Sequence, residues 1–454
     1  MTGATTAQKG WIRLLADARI APIVAAADHV PVYLVGGAVR DAGLGRDVHD
    51  LDVIVGDDGV GISERIAAAT GARIVALGGE RFAAIRLVTD DSQLDIWDLR
   101  GSSLEKDLRR RDFTVNAIAL ALPAGQVFDP TGGVADLELG RLRATREGVF
   151  CEDSVRVLRL ARLASTLDHF EADPSTLAWA QAAAPQLLSA PAERVRAELD
   201  LLLGLPAAAT AVRWFAALDL ATLFFGQGEA VTSAATATTA TTATHAVTAL
   251  SSTAADLDRW QAERSGAGTR AGGDVSRAET GASPATLALH WSLLAELFAP
   301  RSPASALRAL KRRGWMSRAS CDLAAHLAER DRHVPAGASA ERVWLHAAGR
   351  AWPDAIALRF ALARGAERAA WQLLDEDFRR LPPETLAAII DPQAFVSGDE
   401  VQELLNIGPG PAVGAALAAV REAQVSGAIT DRSEAIALLL ARRRARVGSI
   451  ATTR

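Results

Sequence analysis

The chain has 454 residues, enough for roughly two to four domains with sizeable cores. Its 49 Lys and Arg against 54 Asp and Glu give a formal net charge of −5, so total charge alone does not point to a nucleic-acid partner. Cys151 and Cys321 are the only cysteines, too few for a disulfide framework or a cysteine-rich zinc site, and a reducing compartment is the simple reading.

Residues 1–28 read as a leading helix. They lack a charged start followed by an unbroken apolar core, and no segment approaches ~20 apolar residues, so neither export nor membrane insertion is expected. Val32, Tyr33, Leu34 and Val35 then form an apolar run that reads as a buried strand stopped by Gly36 and Gly37. Glycines at such a turn let backbone N–H groups approach an anion closely. Arg40 falls where a helix would begin, so its guanidinium and the helix N-terminus are both expected to face a triphosphate. In DLDVIV the strand period of two puts Asp50 and Asp52 on one face, and paired carboxylates suit Mg²⁺, a hard cation that prefers oxygen. Asp95, in QLDIWDLR, lies on another predicted strand and would complete a two-metal site, with Asp98 as its competitor.

Further along, RRRDFTVNA sets three arginines before a strand. They offer donors for phosphate, and Asp112 offers an acceptor for a ribose hydroxyl. From Glu152 the pattern is helical, and Arg156, Arg159 and Arg162 make a slanting basic stripe. Asp153 and Arg156, three residues apart, present an acceptor and a donor side by side. Cytosine and adenine each show an amino donor beside a ring-nitrogen acceptor, whereas uracil and guanine show the opposite order. A fixed carboxylate beside a guanidinium therefore accepts CTP and ATP and leaves orphaned polar groups against UTP and GTP, at roughly 1–3 kcal/mol for each buried orphan.

The run LVGGAVRDAGLGRDVHDLD (34–52) resembles the head of the class II tRNA nucleotidyltransferase and poly(A) polymerase family, whose signature is GGxVRD followed by DxD. Four further motifs follow in family order: SLEKDLRRRDFTVNAIAL (102–120), VFDPTGGVADLELGRLR (127–143), CEDSVRVLRLARLAS (151–165) and AERVRAELDLLL (192–203). FVSGDEVQELLNIGPGPAVGAALAAVREAQVSGAITDRSEAIALLLARR (395–443) resembles the family's tail module. In that module a GPGP turn joins two amphipathic helices, Thr430 or Asp431 is the candidate N-cap of a last helix, and holding tRNA is the implied job.

The resemblance implies an α+β fold class, with a small mixed β-sheet head followed by all-α neck, body and tail. The expected boundaries are 1–145 for the catalytic head, 146–228 for the neck, 229–284 for a low-complexity insertion, 285–390 for the body and 391–454 for the tail. Within the insertion, the Ala/Thr-rich half reads as a weak helix and the Gly/Ser/Arg-rich half as a flexible segment. The body candidate LALHWSLLAELF puts Trp291 after His290, where a metal-dependent HD phosphohydrolase needs aspartate, so it reads as a helical remnant without a metal. His49 is expected to play an ordinary hydrogen-bonding role.

By resemblance, Asp50 and Asp52 hold Mg²⁺, and Asp50, Asp52 and Asp95 form the catalytic set. Gly36, Gly37, Arg40, Arg111, Asp112, Asp153, Arg156, Arg159 and Arg162 bind the nucleotide. The implied reaction is template-independent addition of CMP, AMP or both to the tRNA 3′ end, with release of pyrophosphate. Partners are then tRNA, CTP and ATP, with no DNA and no membrane, in the cytoplasm. Basic clusters at Arg109–Arg111, Arg156–Arg162, Lys311–Arg313 and Arg442–Arg446 are candidates to track a phosphate backbone. The motifs leave open full CCA addition, CC-only or A-only addition and poly(A) synthesis, while the intact carboxylates weigh against a non-catalytic RNA-binding relative.

Overall fold

Short apolar runs punctuated by glycine and aspartate turns continue to residue 128, and each becomes a strand: β1 (Val32–Val35), β2 (Leu51–Val55), β3 (Arg73–Leu77), β4 (Ala84–Val88), β5 (Gln93–Asp98), β6 (Ala119–Ala121) and β7 (Val127–Phe128). The structure is a computed structural model that describes residues 5–77, 84–90, 92–99, 101–226, 240–265 and 283–451. The strands form one mixed sheet in the order β3-β4-β5-β2-β1-β6-β7, with β2 and β5 parallel and the other neighbours antiparallel. Beyond the sheet the chain is mostly helical, so the α+β architecture read from the sequence holds.

The leading segment is two helices rather than one, α1 (Thr6–Leu15) and α2 (Ile20–Ala27). Asp17 ends the first by accepting from the Arg19 backbone at 2.8 Å and pairing with the Arg19 guanidinium at 2.7 Å. The glycine turn opens α3 (Gly36–Gly43). Trp11 of α1 donates its indole N–H to the Val39 carbonyl at 2.8 Å, and a Cβ on Gly10 would lie 1.7 Å from the Ala42 carbonyl oxygen. Only glycine there lets α1 lie against α3. Under the sheet, Val35, Ile54, Leu108, Ala117 and Ala119 form a buried cluster that fixes the strands carrying the acidic residues.

The described residues divide into two compact units, one within Met1–Leu202 and Trp214–Leu223, the other within Leu203–Arg213, Phe224–Ala271 and Ala282–Arg454. The first unit holds both the sheet and most of the expected neck, the helices Arg156–Thr166, Pro174–Ala183 and Ala192–Leu203 among them. The boundary expected at 145/146 therefore divides one packed body. Four motifs of that body share hydrogen bonds, and this is the physical reason.

In the second unit, the segment read as an insertion is helical where described, as expected of its Ala/Thr-rich half. Residues Ala240–Ser265 are one helix, and Ala254, Leu257 and Trp260 near its end are buried. Trp260 lies 4.0 Å, ring to ring, from Phe360, and Asp256 pairs with Arg368 at 2.6 Å. Residues 229–239 and 266–282 of the expected insertion lie outside the described residues. His290 sits in the helix Pro284–Phe298, is buried, and donates from Nδ1 to the Leu203 carbonyl at 2.7 Å. Burial pulls its pKa down, so it is neutral. In the tail, Asp431 rather than Thr430 caps the last helix, accepting from the Glu434 N–H at 2.9 Å.

Asp258 caps another helix, Ala208–Ala217, accepting from the Ala208 N–H at 2.7 Å and the Ala209 N–H at 3.2 Å. Burial nevertheless pushes its carboxyl up to about 6, the two N–H groups only partly offsetting it. A raised folded-state pKa means the group's contribution is fully present at low pH and is lost as pH rises through about 6. A carboxyl held that far above its ordinary value corresponds to ~3 kcal/mol. The Asp258→Asn variant is expected to lose less stability than wild type between pH 5 and pH 8 in urea unfolding. Parallel pH profiles for the two proteins would count against this account.

Candidate active site

The glycine turn and β2 meet at one carboxylate. Gly36 has φ +73°, and a Cβ there would stand 2.5 Å from Asp52 Oδ2 and 3.3 Å from an Arg111 guanidinium nitrogen. The Gly37 N–H donates to Asp52, so the α3 N-terminus is aimed at this carboxylate. Gly36→Ala is expected to cost more than about 1 kcal/mol in the left-handed backbone region and to displace Asp52. Activity should fall well beyond the loss of folded protein, as a rate normalised to the folded fraction from thermal melts would reveal.

Parallel pairing of β2 with β5 sets Asp52 directly opposite Asp95, and β4 sets Arg86 opposite Asp95. Arg86 clamps Asp95 with two bonds, 2.7 and 2.8 Å. Asp98 is three residues further on and so faces the other side of the sheet, where it accepts from the Gly59 N–H at 3.2 Å at the start of α4 (Gly59–Thr70). The choice between Asp95 and Asp98 is thus made by strand register. Asp50 precedes β2 and is exposed. Its charge reaches both Arg86 and Arg19, and Arg19 also donates to the Val48 carbonyl at 2.8 Å and to the His49 carbonyl, bracing the turn before Asp50. Burial pushes the Asp52 carboxyl up; Asp95 adds to this, and Arg111, Arg159 and the Gly37 N–H oppose it. A pair of carboxylates, one held above its usual range, is a donor set that a divalent cation would relieve. Among the described residues no group of three or more His, Cys, Asp or Glu forms a metal centre.

Three of the expected nucleotide-binding residues have partners within the protein. Arg40 is clamped by Asp41 through two bonds of 2.9 and 2.7 Å, donates to Asn116 Oδ1 at 2.7 Å, and has a side chain only 11% exposed. Asp41 balances its charge, and the bond to Asn116 ties α3 to the turn at residues 114–116. Asp112 is buried; its Oδ1 accepts from the Phe113 N–H at 2.8 Å and Asn116 Nδ2 at 3.0 Å, and its Oδ2 pairs with Arg159 at 2.8 Å. Burial opposes its ionisation, but Arg159, Asn116 and the Phe113 N–H together hold its carboxyl below the usual range. Arg162 pairs with Glu198 of the helix Ala192–Leu203 at 2.7 Å and joins two helices.

The Arg159 side chain remains 46% exposed while bonded to Asp112. Asp112 first, then Glu198, Asp52 and Asp153, stabilise its charge, so one guanidinium feels both the β2 carboxylate and the proposed base-reading pair. In that pair, Asp153 and Arg156 are 3.9 Å apart, and Arg156 is oriented by donating to the Val149 and Arg110 carbonyls at 3.2 and 3.1 Å. Arg194, on the same helix as Glu198, also holds Asp153, at 2.7 Å. Arg194 and Glu198 lie in the fifth motif and Asn116 in the second, yet none carries a local signal, because each partner is distant in sequence.

The third motif braces the second. Asp129 accepts from the Gly133 and Val134 N–H groups at 2.7 and 2.9 Å, and Asp136 accepts from Thr114 Oγ1 at 2.7 Å and Arg143 Nε at 2.8 Å. Thr145 Oγ1 donates to the Arg111 carbonyl at 2.5 Å. These bonds set the direction of Arg111 without contributing a reacting group.

Such a site, with Asp52 opposite Asp95 on neighbouring strands under a glycine turn and a guanidinium row leading to a carboxylate–guanidinium pair, defines a nucleotidyltransferase. Residues 32–143 match the Poly A polymerase head domain family. The chain is 31% identical over 433 residues to a CC-adding tRNA nucleotidyltransferase of Geobacter sulfurreducens, covering 89% of this chain and 90% of that one. It is 30% identical over 429 residues to an A-adding tRNA nucleotidyltransferase of Deinococcus radiodurans, covering 89% and 94%. Among solved structures, a Bacillus stearothermophilus CCA-adding enzyme in complex with CTP has the same fold, with TM-score 0.63, 24% identity and coverage of 95% of this chain and 100% of that one. The chain belongs to the class II tRNA nucleotidyltransferase and poly(A) polymerase family.

Proposed function

We propose that this enzyme transfers CMP, AMP or both from CTP and ATP to the 3′ end of tRNA without a nucleic-acid template, releasing pyrophosphate. The observation that carries the reading is geometric: the Arg111 guanidinium stands beside Gly36 and Asp52, and the next residue, Asp112, pairs at 2.8 Å with Arg159 on the helix that also carries Arg156, which supports one site for phosphoryl transfer and base selection. Full-length similarity to both a CC-adding and an A-adding enzyme favours a second reading, in which this chain performs only one half of CCA addition.

Members of the family generally use divalent metal ions, and we assign Mg²⁺ here, held by Asp50 and Asp52. When bound, such an ion lowers the pKa of the primer hydroxyl and neutralises charge developing on the α-phosphate. The rest is done by this chain. Gly36 gives the Asp52 carboxylate room beside the α3 N-terminus, and the phosphates would meet the ion at that turn. Arg111, half-buried and braced from Asp107 at 3.2 Å, orients the triphosphate. Asp153 accepts the exocyclic amino group of cytosine or adenine while Arg156 donates to the ring nitrogen. In-line attack by the terminal ribose hydroxyl on the α-phosphate forms the new phosphodiester and breaks the bond to pyrophosphate.

We place the enzyme in the cytosol, where both cysteines remain free thiols. Among the described residues no helix is long and apolar enough to cross a membrane. The test uses tRNA transcripts ending before the tail, after C and after CC, each with one labelled nucleoside triphosphate. CTP use on the first two and ATP use on the third identifies full CCA addition. CTP use alone, or ATP use on CC ends alone, identifies a half-reaction enzyme, and long ATP-only tails would contradict the reading.

A further inference from the structure

A cleft of about 410 Å³ is lined by Lys106, Arg109, Arg110 and Arg146 with Glu105 and Glu152. Glu105 is tied to Arg109 at 2.9 Å and Glu152 to Arg146. Exposed pairs of this kind contribute roughly 0–1 kcal/mol each, so an arriving anion displaces them at little cost. Lys106 and Arg110 are exposed and have no ion-pair partner among the described residues, which leaves the cleft with an excess of cations.

The cleft adjoins the base-reading pair. Arg156 donates to the Arg110 carbonyl at 3.1 Å, and Arg146 donates to the Arg109 carbonyl at 3.3 Å. A hydrogen bond from Arg146 holds the Glu152 carboxyl below its usual range, with Arg156 and Arg110 adding to the effect. Successive side chains diverge here: Arg111 turns to Gly36 and Asp52, whereas Arg109 and Arg110 face solvent. The triphosphate has its place at the glycine turn. An open, weakly neutralised cleft beyond it suits a chain that carries one charge per residue and must shift as it is extended.

We propose that this cleft grips a phosphodiester of the RNA strand whose 3′ end is extended, a proposal that rests on the transfer reading above. The test is the double variant Lys106→Glu/Arg146→Glu, with Lys106→Gln/Arg146→Gln as the milder form and thermal melting as the check on folding. Binding of fluorescent tRNA lacking its 3′ CCA is read by anisotropy across a KCl series, and KM for CTP is read separately.

The expected result is a Kd for tRNA raised about tenfold and a salt slope reduced by about one to two, with the glutamine pair intermediate and KM for CTP within about twofold of wild type. An unchanged Kd and slope would overturn the proposal. So would a raised KM for CTP with intact tRNA affinity, which would assign the cleft to free triphosphate or pyrophosphate. Because binding is read without chemistry, a wild type that binds tRNA through this cleft yet extends no transcript refutes the transfer reading and leaves the cleft standing.

Discussion

Asp52→Asn is expected to lower kcat by about 10³-fold or more while leaving the fold intact or more stable. Loss of a single preorganised group facing the developing charge costs about 10²–10³ in phosphoryl and acyl transfer, and here a cation site is lost with it. The stability side follows from burial, which pushes the Asp52 carboxyl up, with Asp95 adding to it. A charged Asp52 therefore works against folding at neutral pH, and a neutral amide of the same shape removes that cost. The amide oxygen still accepts from the Gly37 N–H. Single-turnover incorporation of labelled CMP, with thermal melting on the same preparation, reads both effects. A variant that melts well below wild type would show that the carboxylate is structural, and one that retains activity would remove Asp52 from the chemistry.

Arg156→Ala is expected to erode base selection more than turnover. The residue lies 3.9 Å from Asp153, and its removal takes away the donor that meets the ring nitrogen of cytosine or adenine. A buried orphan is worth roughly 1–3 kcal/mol, so the ratio of kcat/KM for CTP over UTP should fall roughly 5–150-fold. The loss should come mostly from weaker use of CTP and ATP. Arg194, 2.7 Å from Asp153, remains to hold the carboxylate, so the site should not collapse. Competition between CTP and UTP on one tRNA transcript measures the ratio. An unchanged ratio would move base reading away from this pair.

The central lines of the site were legible because they are local. An apolar run, a glycine turn and an alternating acidic and apolar run identify β1 and β2 without any distant contact, and the proposal for Asp50 and Asp52 rests on the same run. Asp95 could be separated from Asp98 only by the parallel register of β2 and β5, which puts Asp52 opposite Asp95. Arg40, Asp112 and Arg162 have the right chemistry for a nucleotide, and their partners within the protein are Asp41 with Asn116, Arg159 and Glu198. Asn116 is distant in sequence from Arg40, and Glu198 from Arg162, and spacing along a helix or strand carries no trace of such pairings.

Composition misled in a different way at 229–284. Alanine and threonine dominate the start of that stretch, but Asp256, Asp258, Trp260 and Arg264 near its end include residues that a free linker has no reason to carry. Trp260 is buried, and Asp258 caps the helix Ala208–Ala217. The helix Ala240–Ser265 takes in the Ala/Thr-rich residues themselves, and its later turns carry the buried Trp260.

The most direct measurement of the central claim is transfer of labelled CMP from CTP to a tRNA lacking its 3′ CCA, by chelator-treated enzyme, across a Mg²⁺ titration. The account predicts no extension without the ion, a short defined tail once it is restored, and none at any Mg²⁺ concentration for Asp52→Asn. Extension that survives chelation, or an Asp52→Asn protein that extends tRNA at the wild-type rate, would contradict it.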